Sequence, residues 1–170
     1  LIGAGSVVFA RRLLQDIVCV PELNDATVSL MDTDHERLLL MSKFANKLAR
    51  DTGTNITIET TADRREALDG SDYVLTTIRV GDSFERDIAI PLKYGVDQSV
   101  GDTVGPGGVF KALRTAPVLM DICEDIEDVA PNATLLNYTN PMAIACWSIA
   151  EATDVPTIGL CHSVQHTTAD

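Results

Sequence analysis

The apolar positions of the chain follow two alternating periods. Short runs dense in apolar and β-branched residues predict strands: ATVSLMD (26–32), NITIE (55–59), SDYVLTTI (71–78), ATLLNYTN (133–140) and PTIGLC (156–161). LIG at 1–3 predicts the tail of one more. Between these runs the apolar residues recur at helical spacing. Residues 7–18 predict a helix, and so do residues 34–50, where Leu38, Met41, Ala45 and Leu48 share a face. Residues 108–128 predict a longer one, with Val109, Leu113, Ala116, Met120 and Cys123 on one face and a kink at Pro117. Residues 141–152 predict the last helix, with Pro141 in its first turn. Strands separated by helices imply a parallel sheet with right-handed crossovers, that is, an α/β, Rossmann-like, doubly wound fold. Residues 80–106 fit this alternation least and predict an excursion over the active face of the sheet.

Length and charge narrow the classes. With 170 residues the chain can form one domain with a core of its own. It starts at Leu1 with only the tail of a strand and stops in a helix-like stretch, so a piece truncated at both ends is expected. A net charge of −12 argues against nucleic acid or an anionic membrane as partner. Neither a signal peptide nor a spanning apolar run is visible in the sequence. The run CEDIED (123–128) carries much of the negative charge and predicts a solvated helix face. Four cysteines, at 19, 123, 146 and 161, show neither CxxC nor zinc-like spacing. The first three lie among apolar residues and are expected to be buried thiols, which suits a reducing, cytoplasmic compartment.

Candidate chemistry sits where strands end. IGAGSVVFARRLLQDI places Gly3-x-Gly5 after a strand and before a helix, though the third glycine of a dinucleotide fingerprint would fall at Val8. Gly3 and Gly5 would let the backbone approach a pyrophosphate at a helix N-terminus, and Ser6 would add a hydroxyl donor. Asp32 ends the second strand and is suited to accept from both ribose hydroxyls, which favours NAD over NADP. The alternative is a tight turn with a capping aspartate. In an open parallel sheet, ligands bind beyond the carboxyl ends of the strands. The residues found there are Arg79 and Gly81, then Tyr138-Thr139-Asn140-Pro141, then Cys161-His162. Asn140 is suited to a sugar hydroxyl, to the nicotinamide amide or to capping the next helix. Cys161 is suited to a soft metal or to burial, and His162 to proton donation, to a second place on the metal or to a structural hydrogen bond. TVGPGGVFKALRT, with Lys111 and Arg114, reads as an anion-tolerant helix start or as a hinge.

Together the motifs IGAGSVVF, LMDTD, DTVGPGGVFKALRT, LLNYTNPMA and GLCHSVQ resemble glycoside hydrolase family 4, the NAD- and metal-dependent glycosidases, across the whole chain. That family is an exception to the two-carboxylate scheme of glycoside hydrolysis. NYTNPMA with GLCHSVQ looks most like the α-galactosidase (melibiase) branch, and His162 speaks against a phosphorylated sugar. The resemblance implies residues 1–170 as the N-terminal NAD-binding domain of such an enzyme, acting on a small-molecule α-glycoside and oligomeric at full length. It implies hydride transfer from C3 to NAD, deprotonation at C2 beside a divalent metal such as Mn²⁺, elimination, hydration and return of the hydride. It implies NAD on Gly3, Gly5, Ser6, Asp32 and Thr77, metal on Cys161, substrate on Asn140, and His162 as the acid. A second metal histidine and a tyrosine base would lie beyond Asp170. Rival readings are a lactate/malate-type 2-hydroxyacid dehydrogenase, which needs a His–Asp relay and substrate arginines not evident here, an α-glucosidase or α-galacturonidase of the same family, and a non-catalytic dinucleotide-binding module.

Overall fold

The computed structural model describes residues 1–81, 84–98 and 102–161. Among these, strands β1 (Thr27–Met31), β2 (Thr57–Thr61), β3 (Tyr73–Thr76), β4 (Thr134–Asn137) and β5 (Thr157–Gly159) pair in parallel. Ile2 joins the β1–β2 pair to the β3–β4–β5 group, because it bridges both Met31 and Thr76. Its N–H donates to the Leu75 carbonyl at 2.8 Å, and its own carbonyl accepts from the Thr77 N–H at 2.9 Å. Across the sheet the order is therefore β2-β1-Ile2-β3-β4-β5. Chain direction across the sheet reverses at Ile2, so the switch point opens just where residues 3–6 leave it. The Rossmann-like α/β fold expected from the sequence is the fold observed.

The helices are α1 (Phe9–Val18), α2 (His35–Thr52), α3 (Arg64–Leu68), α4 (Phe84–Lys93), α5 (Gly105–Val129) and α6 (Met142–Ala152). Neighbours in a strand point to opposite faces, and β1 feeds a separate core on each side of the sheet. Leu30 joins Ala10 and Leu14 of α1 and Leu38, Met41 and Ala45 of α2. Met31 joins Leu68 of α3, Leu119 and Ile122 of α5 and Ile149 of α6. The sheet is thus covered on both sides, and each fully buried Leu or Ile contributes roughly 1.5–3 kcal/mol. α2 starts where its chemistry says it should, with the Asp34 carboxylate accepting from the Arg37 N–H at 3.0 Å, and it ends on Gly53 at φ 70°.

Several expectations are corrected. On α5 the buried stripe is Ala112, Thr115, Leu119, Ile122, Cys123 and Ile126, while Val109 and Leu113 are exposed and Ala116 and Met120 half-buried. The expected stripe lies one residue out of frame, a rotation of about 100° on a 3.6-residue turn. Both stripes are apolar, so periodicity alone does not choose between them. α5 also begins earlier, at Gly105, and carries Pro117 within its length. α1 begins at Phe9 rather than 7, because Ser6 Oγ takes the Phe9 N–H at 3.3 Å and Val7 and Val8 remain in the exposed turn. Pro141 caps α6 instead of entering it. Cys123 is buried and its thiol is pushed up to about 11 by that burial, but Cys19, just past the end of α1, is exposed and Cys146 only half-buried. Within CEDIED, Asp125 is not a solvated charge. It accepts from Arg65 Nη1 at 2.8 Å and pairs with Arg64, fastening α3 to α5.

The excursion contains a helix that the apolar pattern does not announce. α4 packs on α5, and the carboxylate of Asp87, 5% exposed, takes both terminal nitrogens of Arg114 at 3.0 and 2.6 Å. Glu85 and Asp87 in its first turn and Lys93 in its last are the dipole signature that marks it. Pro91 in its interior masks that signature.

Candidate functional site

A cleft of about 640 Å³ opens at the carboxyl ends of the strands. Ser6 and Phe9 form its glycine-turn side, and Thr77 and Arg79 follow β3. Tyr138 and Asn140 follow β4, Cys161 follows β5, and Asp102, Thr103 and Lys111 close it from the excursion and α5. A smaller hollow of about 320 Å³, lined by Pro131, Ala133 and Val155, lies at the opposite ends of β4 and β5. Of the strand-end residues singled out from the sequence, Ser6, Arg79, Tyr138, Thr139, Asn140 and Cys161 line this cleft, as parallel-sheet geometry requires, whereas Gly3, Gly5 and Asp32 stand behind its wall.

The glycine-turn side is built from main chain. Gly3 has φ 87°, and a Cβ there would come within 2.8 Å of the Thr77 carbonyl carbon, so only glycine fits. Thr77 fixes the approach by donating its hydroxyl to the Gly3 carbonyl at 2.9 Å. The Gly5 N–H donates to Asp32 Oδ2 at 2.7 Å and the Asp34 N–H to Asp32 Oδ1 at 2.9 Å. Asp32 thus braces the tight turn, while the helix cap is supplied by Asp34. Each carboxylate oxygen has a second acceptor site left for a hydroxyl. Ser6 Oγ accepts from Phe9, which leaves its hydroxyl hydrogen for a ligand. Close backbone, a helix N-terminus and a carboxylate one strand over fit a dinucleotide.

The other side is built from side chains, on a buried scaffold. Thr76 donates to Asn137 Oδ1 at 2.9 Å, which also accepts the Thr139 N–H at 3.1 Å. Asn137 Nδ2 donates to the Thr139 carbonyl at 3.1 Å, and Thr139 Oγ1 accepts the Ile78 N–H at 3.2 Å. Thr76 and Asn137 are 0% exposed and Thr139 2%. This network, missed from the sequence, locks the ends of β3 and β4 together and aims Tyr138 and Asn140 outward. Its signal was an asparagine ending a buried apolar run. Asn140 does not cap α6; its Nδ2 donates to Asp102 Oδ2 at 3.2 Å. Lys111 Nζ donates to the same oxygen at 3.1 Å. Burial works to raise the Asp102 carboxyl, and hydrogen bonds led by that of Lys111 outweigh it, so the group titrates below the ordinary carboxylate range. With Lys111 on Asp102 and Arg114 on Asp87, the α5 start does not present two uncommitted cations as the anion-tolerant reading supposed.

Cys161 is exposed on the cleft wall. It is a suitable soft donor, but no group of three His, Cys, Asp or Glu side chains able to hold a metal exists among the described residues. Its neighbour His162 lies outside the described residues. No helix among the described residues is long and apolar enough to cross a membrane.

Against known proteins, residues 1–170 match the model of the family 4 glycosyl hydrolases. The chain is 44% identical to an α-galactosidase of Rhizobium meliloti (strain 1021), over 98% of this chain and 34% of that protein. It is 42% identical to an α-galactosidase of Bacillus subtilis (strain 168), over 99% of this chain and 40% of that protein. A 6-phospho-β-glucosidase from Thermotoga maritima, solved with manganese, NAD⁺ and glucose-6-phosphate, superposes with a TM-score of 0.83 at 28% identity, over 99% of this chain and 40% of that one. The chain thus spans 34% and 40% of the lengths of the two α-galactosidases.

Proposed function

Because the chain belongs to the family 4 glycosyl hydrolases, we propose that residues 1–170 are the NAD-binding domain of an enzyme that hydrolyses O-glycosidic bonds of α-galactosides. The observation that carries this is the single cleft that gathers Ser6, Thr77, Asn140 and Cys161 from four strand ends. The identity to two α-galactosidases supports the sugar. The family match also supports this reading over the dehydrogenase one.

In this reading Gly3, Gly5, Ser6, Asp32 and Thr77 hold NAD at the glycine-turn side. Cys161 is this chain's ligand for a divalent metal, Mn²⁺, and Asn140 holds a sugar hydroxyl between them. Bound there, NAD would supply a hydride acceptor for C3 and the metal a Lewis acid for the sugar oxygens. His162 donates the proton that the departing glycosidic oxygen needs. Asp102 and Lys111 keep that corner of the cleft polar.

Turnover in D₂O tests the reading on the full-length enzyme, with 4-nitrophenyl α-galactoside, NAD, Mn²⁺ and a reductant. Release of galactose carrying deuterium at C2 is expected, because the C2–H bond breaks before the C1–oxygen bond. A product free of deuterium would mean an oxocarbenium route, which leaves C2–H intact. Faster turnover of the α-glucoside or α-galacturonide would change the sugar and leave the chemistry.

A further inference from the structure

The least expected contact in the cleft joins three residues far apart in the chain. Asp102 comes from the excursion, Lys111 from the second turn of α5, and Asn140 from beyond β4. Lys111 and Asn140 both donate to one oxygen, Asp102 Oδ2, at 3.1 and 3.2 Å, and Thr103 Oγ1 donates to the other at 3.0 Å. The side chains of Lys111 and Asp102 are 13% and 21% exposed. Gly108 makes the arrangement possible, because a Cβ there would come within 2.8 Å of the Thr103 backbone. The excursion can lie directly on the first turns of α5 only across that gap.

We propose that Lys111 and Asp102 are a positioning pair that fixes the amide of Asn140, so that this corner of the cleft reads a hydroxyl donor rather than an anion. The chemistry is one of complementarity. An ionised carboxylate accepts only, so the amide nitrogen of Asn140 must face it. One amide N–H is committed to Asp102 and Oδ1 is turned away from it, and a carbonyl oxygen accepts from a hydroxyl but repels a phosphate or carboxylate. Lys111 holds Asp102 ionised and in place, and its own charge is matched by Asp102. Without Lys111 the half-buried carboxylate would lose the ammonium that holds it in place, and the amide would lose a fixed acceptor. An anionic sugar substituent at this corner would meet Asp102 and the Asn140 carbonyl, so a neutral sugar is the substrate class it fits. This inference rests on the reading of Asn140 as a sugar ligand.

The test is titration of methyl α-galactoside into the NAD-loaded full-length enzyme, with NAD affinity and melting temperature measured alongside. Lys111→Met and the near-isosteric Asp102→Asn should each weaken the galactoside by about tenfold, the scale of one charge-assisted hydrogen bond, with NAD affinity unchanged. Lys111→Arg should restore most of the loss. In an Asn140→Ala background, Lys111→Met should add nothing, because its effect passes through the amide. Additive losses would mean that Lys111 meets the sugar itself and would overturn the positioning role. A loss for Asn140→Ala with none for Lys111→Met or Asp102→Asn would overturn the pair and leave the sugar site standing. No loss for Asn140→Ala would overturn the sugar site and the pair with it.

Discussion

The two sides of the cleft are made differently. The glycine-turn side is backbone: Gly3 against the Thr77 carbonyl, with Asp32 bracing the Gly5 and Asp34 N–H groups. Its parts are neighbours in a strand–turn–helix unit or in the adjacent strands. The opposite side is side chain: Asp102, Lys111, Asn140 and Cys161, carried by an excursion, a helix and two strand ends. The first side is fixed by backbone sterics, whereas the second is made of charges and amides that can be exchanged without refolding the turn.

Changes on the two sides should therefore separate cleanly. The largest effect is expected for Cys161→Ser in the full-length enzyme. A hydroxyl stays protonated where a thiol ionises, so Mn²⁺-dependent turnover should fall by roughly a thousandfold, the several kcal/mol a Lewis acid supplies, while NAD affinity holds. Full Mn²⁺-stimulated turnover in the variant would return Cys161 to a structural role. Gly3→Ala should strike the other side. With φ at 87° and no room for a Cβ, it should cost about 1–3 kcal/mol, read as a lower melting temperature together with weakened NAD. An unchanged melting temperature would show that the turn relaxes freely.

Asp32→Ala sharpens the comparison within the glycine-turn side. The carboxylate opposes a 2′-phosphate and no arginine follows it, the next residue being Thr33. NAD should weaken by roughly tenfold, the loss of hydrogen bonds to a charged group, and the preference over NADP should narrow. Equal affinity of the unaltered protein for both cofactors would remove Asp32 from the ribose role. The smallest effect belongs to a site remote from both sides. Burial works to raise the Asp125 carboxyl, and hydrogen bonds from Arg65 and Arg64 outweigh it, so it titrates below its ordinary value. A carboxylate depressed on folding stabilises the protein above about pH 4, its unfolded value, and the contribution is lost as pH falls through the folded value. Asp125→Asn should therefore lower the melting temperature modestly at pH 7, and by less as the pH falls below the ordinary carboxylate range. A gap that persists into acid would mean that the Arg64 and Arg65 pairs are not its source.

The residues that were legible in the sequence share a property. Gly3, Asp32, Asn140 and Cys161 each come after a strand that its own apolar run announces, and a parallel sheet brings strand ends together whatever else the chain does. α3 and α4 were less legible. The Asp63 cap of α3, accepting from the N–H groups of Arg65 and Glu66, is a local signal that a short helix dilutes. For α4, Pro91 opposed the charge pattern that favoured it. On α5 two apolar stripes competed, and the choice depended on where the helix crosses the sheet.

The sequence by itself determined the alternation of strands and helices, the glycine turn that only a residue without Cβ can make, and the set of polar residues at strand ends. These arise from backbone sterics and from periods of two and 3.6, which act over a few residues. Only the tertiary structure decided what those residues touch. Asn137 bonds Thr76 from 61 positions away, and Asn140 reaches Asp102 across 38. Contacts at such separations are selected by strand register and helix crossing. A side chain that is a cap by local propensity, as Asn140 is before a proline, becomes part of the site once a carboxylate from a distant segment outbids the helix end for its amide.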